Sequence, residues 1–83
     1  MVSAQTQSVA ERARRIYDER LRAALEAGHP GRFVAIEPDS GEYFLADTLD
    51  AAVRAARTKH PARLSHVVRV GHPAALHFGG VWS

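Results

Sequence analysis

Asp39-Ser40-Gly41 has the composition of the loops in which aspartic proteases hold a catalytic carboxylate, and it follows the apolar run Phe33-Val34-Ala35-Ile36. In that chemistry two carboxylates share a proton and activate a water. A chain this short would obtain its second aspartate by dimerising. Two neighbours argue against it. Glu42 follows where the protease loop carries small or apolar residues, and Pro38 precedes it in a tight turn. The chain is also too short for the strands that build a substrate cleft. Asp, Ser and Gly are what hairpin loops use for backbone reasons, so the motif is read as a turn.

The five histidines invite a metal reading. His29, His60 and His72 each precede a proline, which marks element boundaries and predicts solvent exposure. None has the i, i+4 spacing of a helical zinc pair. His72 and His77 lack an acidic third ligand nearby. His66 differs, because it alternates with Leu64, Val68 and Val70 on one strand face. It reads as a partly buried edge histidine, or as an interface residue titrating near neutral pH. No metal or cofactor is expected.

Arg12, Arg14, Arg15, Arg20 and Arg22 crowd one segment and suggest a basic helix that contacts nucleic acid. However, Glu11–Arg15, Arg15–Glu19, Arg14–Asp18, Asp18–Arg22 and Arg22–Glu26 are all i, i+4 pairs of opposite charge. Such pairs support a solvated helix face and weaken attraction for phosphate. There is no glycine-rich phosphate loop and no aromatic RNA-binding strand signature.

These residues must be carried by a few elements. Ser8-Val9-Ala10-Glu11 has capping-box spacing. Val9, Ala13, Ile16, Tyr17, Leu21, Ala24 and Leu25 then form a stripe, predicting a helix over Val9–Ala27 that ends at Gly28 and Pro30. Gly31 to Glu37 and Glu42 to Ala46 predict a hairpin around Pro38-Asp39-Ser40-Gly41. Asp47 or Thr48 caps a second helix with Leu49, Ala52, Val53 and Ala56 on one face, and His60-Pro61 ends it. Leu64 to Val70 is a third strand. The order is α-β-β-α-β, an α/β (α+β) fold with two helices and a three-stranded mixed sheet. Strand 1 is the most apolar and belongs in the centre, giving order 2-1-3, with strand 3 antiparallel to strand 1 and parallel to strand 2. The helix between strands 2 and 3 makes a right-handed crossover. Residues 1–8 are a frayed N-terminus, 9–73 one domain, and 74–83 an apolar, aromatic tail.

With 83 residues, the chain has room for one domain with a thin core. The absence of cysteine excludes disulfides and thiolate sites and fits a reducing compartment. No apolar run approaches the ~20 residues that span a bilayer, and the first residues lack signal-peptide composition. A cytoplasmic protein is expected. Eleven basic against nine acidic residues leave a formal charge of only +2.

The runs Glu11-Arg12-Ala13-Arg14-Arg15-Ile16-Tyr17, Gly31 to Glu37, Tyr43 to Ala52 and Arg69-Val70-Gly71-His72-Pro73 resemble a family of small bacterial proteins of unknown function. The strand pair, the Asp-Thr-Leu helix start and the Arg-Val-Gly end recur in that family. The resemblance covers roughly Val9 to Gly80. Family members are often encoded beside retropepsin-like aspartic protease or toxin-type genes. It implies a bacterial setting and a partner protein encoded nearby, and it brings no catalytic residues.

Both sheet faces read as apolar, and helix 2 can cover only one. The other needs helix 1, the tail or another subunit. The expectation is a non-enzymatic protein–protein interaction module, a homo-oligomer, in the manner of an accessory or antitoxin-like partner. Tyr17, Phe33, Tyr43, Leu45, His66, Phe78 and Trp82 are the candidate interface residues. Phe78 and Trp82 are either interface anchors or a cover for the open face, with disorder as a third outcome. The alternatives are a nucleic-acid-associated regulator using the helix 1 arginines and an enzyme site at a subunit interface around Asp39, His66 and His72.

Overall fold

The stripe of Ala13, Tyr17, Leu21 and Leu25 repeats every four residues, whereas an ideal α-helix drifts about 40° at each such step. The computed structural model, which describes residues 4–71, shows how the chain keeps that stripe on one face. α1 (Ala4–Ile16) runs into a π-helical turn (Tyr17–Leu21) and continues as α2 (Arg22–Gly28). The wider turn takes back much of the accumulated rotation. Ala13, Tyr17 and Leu25 are therefore buried together, with Ile16 and Leu21 packed beside them. The helix starts at Ala4 rather than Val9, so Ser8 lies inside it instead of forming a capping box. The segment expected to fray contributes to α1 from residue 4 onwards.

β1 (Phe33–Glu37) and β2 (Glu42–Ala46) form the hairpin, α3 (Leu49–Lys59) follows, and β3 (His66–Arg69) completes the sheet. The order is β2-β1-β3, and the continuous N-terminal helix Ala4–Gly28 together with α3 makes the two helices expected beside the three strands. Every hydrogen-bonded pair is antiparallel, so the sheet is not mixed in its pairing. β2 and β3 run parallel to each other only as non-neighbours on either side of β1. Thr48, not Asp47, caps α3, its hydroxyl accepting from the Ala51 amide at 3.1 Å.

Both faces of the sheet are covered from within the chain. On one side Val34, Ile36, Val68 and Val70 pack against the N-terminal helix. On the other, Ala35 and Val67 meet Ala52 and Ala56 of α3, with Phe33, Phe44, Leu49 and Val53 around them. The N-terminal helix folds back through the Gly28–Gly31 connection, so neither sheet face is left for a subunit to cover. Exposed apolar faces therefore no longer argue for self-association.

Two glycines set the ends of β1. Gly31 has φ 84° and donates to Val70 O at 2.9 Å, while the Val70 amide donates to Arg32 O at 2.8 Å. Two residues thus oppose one, a bulge opened by a left-handed glycine. Gly41 has φ 79° at the end of the hairpin loop. A β-branched side chain is strained there. Gly41→Val is expected to cost about 1–2 kcal/mol in a urea melt; an unchanged midpoint would show that the loop relaxes to another turn.

Candidate functional site

Glu37 ends an apolar strand, yet its side chain is only 1% exposed. Its carboxylate accepts from the backbone amides of Asp39 and Ser40, each at 2.8 Å, and from Arg63 Nη1 at 3.3 Å. Burial by itself pushes its pKa up. The hydrogen bonds from the turn and from Arg63 outweigh burial and hold it at about 2. The turn around Asp39-Ser40-Gly41 is thus wound about a buried anion.

Next to it, His60 Nε2 lies 2.5 Å from Glu42 Oε1 and 3.4 Å from Ser40 Oγ. A serine, a histidine and an acid are therefore in contact, but both partners meet the same ring nitrogen. A nucleophilic triad uses the two nitrogens separately, one for the serine and one for the acid. Ser40 Oγ also accepts from the Glu42 amide at 3.1 Å and lies 3.4 Å from Glu37 O. The cluster pins the hairpin to the end of α3, where His60 is the C-cap and stands edge-on to Phe44. His60 is half-buried, not exposed as its position before Pro61 predicts. Local pattern gives Glu37 no role and His60 only that of ending α3. A lone acid closing an apolar strand before Pro-Asp-Ser-Gly is the signal that was there.

Asp39 is exposed and paired with Arg12 Nη2 at 2.8 Å. That supplies none of the desolvation or carboxylate pairing that acid proteolysis needs. Asp39→Asn is expected to remove no peptide cleavage and to shift stability by less than about 1 kcal/mol, the scale of an exposed ion pair. Wild-type cleavage of an unfolded substrate that vanishes in this variant would overturn that reading. Among the described residues, no group of three or more histidines and acids is placed to hold a metal ion.

The second feature is the outer edge of β3. Val70 turns its amide and carbonyl toward β1. Alternation along an antiparallel strand gives Val68 and His66 the same sense and points the backbone groups of Val67 and Arg69 outward. No strand pairs with that side among the described residues. A groove of about 450 Å³ lies on one flank, lined by Ala10, Glu11, Arg14, Arg15, Asp18, Glu19 and His66. Another of about 320 Å³ lies on the opposite flank, lined by Leu49, Val53, Arg57, Leu64 and Val67 among others. Leu64 is 45% exposed beside it.

The candidate interface residues scatter. Tyr17 is fully buried in the domain's own core, its hydroxyl donating to Glu26 at 3.1 Å, so it is not available to a partner. Burial raises its pKa, with the Glu26 carboxylate adding to the rise and the Gly71 backbone opposing it. Phe33 packs in the α3-side core beneath Arg69, whose guanidinium lies 5.5 Å from the ring. Leu45 is half-buried against the N-terminal helix, and Tyr43 is 46% exposed; both belong to β2, at the far edge from His66. His66 is buried and borders the larger groove. His72, Phe78 and Trp82 lie outside the described residues. Of the helix pairs, Asp18–Arg22 and Arg22–Glu26 form, at 3.1 and 3.5 Å. No helix among the described residues is long and apolar enough to cross a membrane. Comparison with family models, with curated proteins and with solved structures returns no match to this chain.

Proposed function

We propose that this domain works by protein–protein contact through the edge of β3, rather than by catalysis. The observation that carries the reading is the open edge itself. Val67 and Arg69 turn strand-bonding groups outward between two grooves, and among the described residues no strand pairs with them. Edge strands of this kind accept an added strand: main-chain hydrogen bonds supply affinity, and flanking pockets supply specificity. β3 carries no proline and no lysine; the protection it does have is its length of 4 residues and the exposed Arg69 at its end. The helix arginines support this reading over nucleic-acid binding, because Arg12 and Arg22 are already committed to Asp39, Asp18 and Glu26. The role of a small accessory or antitoxin-like partner fits such an edge, and the nearby-encoded protein implied by the family resemblance is the first hetero-partner to test.

The test compares the tagged domain with its Val67→Pro variant in affinity capture at about 50 and 200 mM salt. Phosphate contacts lose affinity steeply over that range. A protein partner retained at both concentrations and lost with Val67→Pro is the expected result. Retention of nucleic acid alone, released by salt and indifferent to the variant, overturns the reading.

A further inference from the structure

We infer that the strand added to β3 is β3 of a second copy of this chain, paired about a two-fold axis at Val67. The inference rests on the interaction reading above and names its partner. An antiparallel copy of itself complements such an edge, because Val67 offers both its amide and its carbonyl outward. Turned by the two-fold, Val67 of one copy exchanges both bonds with Val67 of the other. The two three-stranded sheets then become one continuous antiparallel sheet.

The surroundings of the edge fit this partner. α1 sits over β1 and β3. With strands about 4.8 Å apart, its axis lies roughly one strand spacing from the proposed two-fold. Two such helices would run about 10 Å apart, which is helix-packing distance. The residues facing that seam carry both signs: Glu11, Asp18 and Glu19 with Arg14 and Arg15. A surface of mixed sign sets up no single-sign repulsion against its own two-fold copy, whereas a partner selected by charge calls for a single sign. On the other flank α3 covers β1 and β2 more fully than β3. That leaves Val67 bordering a groove whose apolar part is Leu49, Val53 and the exposed Leu64, with Arg57, Arg63 and Ser65 at its polar side, and the two-fold brings the two grooves together. β2 is also an edge, but both grooves border β3: His66 lines one and Val67 the other.

Sedimentation equilibrium of the full chain at micromolar concentration tests the assignment. A dimer indifferent to added salt is expected, with its dissociation constant raised at least about tenfold by Val67→Pro, which removes one outward donor without touching a bond to β1. Circular dichroism establishes whether that variant is folded. If it is not, Val67→Cys carries the test instead. The chain has no cysteine, and directly opposed strand residues stand about 5.5 Å apart at Cα, within disulfide reach. Mild oxidation should then give a covalent dimer. A dimer that survives Val67→Pro and is not captured by Val67→Cys overturns the β3 assignment. A wild type that stays monomeric over a wide concentration range overturns the second copy. If that monomer still binds another protein in a Val67-dependent way, only the identity of the partner falls; if it binds none, the interaction reading falls with it.

Discussion

Glu37→Ala is expected to lower the melting temperature by roughly 12 to 24 °C, the equivalent of about 3 kcal/mol in a domain of this size. The carboxylate is buried and accepts two backbone amides and Arg63. Alanine leaves two turn amides without their acceptor, and hydrogen bonds to a charged group are worth about 1.5–3 kcal/mol each. The same hydrogen bonds make this contribution depend on pH. The folded pKa is held at about 2 against an ordinary value of 4.5. A carboxylate depressed on folding contributes its stability above the unfolded value and loses it as pH falls through the folded one. At about 1.4 kcal/mol per unit, the contribution present above pH 4.5 is about 3 kcal/mol. Urea melts of wild type and Glu37→Gln should therefore converge between about pH 4.5 and pH 2. Equal separation of the two curves at neutral and acid pH would show that the carboxylate's charge is not what holds the turn.

Tyr17→Ala is expected to cost about 3–5 kcal/mol, the range for emptying a buried aromatic site. The ring is fully buried among Ala13, Leu25, Val34, Ile36, Val68 and Val70, and its hydroxyl donates to Glu26. Tyr17→Phe keeps the ring and loses the hydrogen bond, so about 1 kcal/mol is expected. The pair separates two roles. A core tyrosine predicts a large loss of melting temperature that does not depend on protein concentration. An interface tyrosine predicts weaker association with the dilute protein's melting temperature intact. The second pattern would contradict the packing described here.

The two expectations also separate what local pattern encodes from what packing adds. The hairpin, its turn at Gly41, a cap at Asp47 or Thr48 and the end of α3 at His60 were legible from residue type and near-neighbour spacing, and the β2-β1-β3 order from the greater apolarity of β1. The polar cluster was not. Glu37, Ser40, Glu42, His60 and Arg63 lie up to 26 residues apart, and only the return of α3 across the hairpin brings them together. A carboxylate at the end of a strand looks the same in sequence whether it is solvated or wound into a turn.

The sequence by itself determined the elements and the apolar character of both sheet faces, since alternation and helical spacing are local properties of the chain. It left open what covers the second face. The tertiary structure decided that: the π-helical turn keeps Tyr17 and Leu25 in register with Ala13, so the chain's own N-terminal helix closes the face. It also decided which backbone groups of β3 point outward. Strand pairing sets that sense, and pairing is fixed by the bulge at Gly31 and Arg32 against Val70, a contact between residues 39 apart that no local pattern of side chains records.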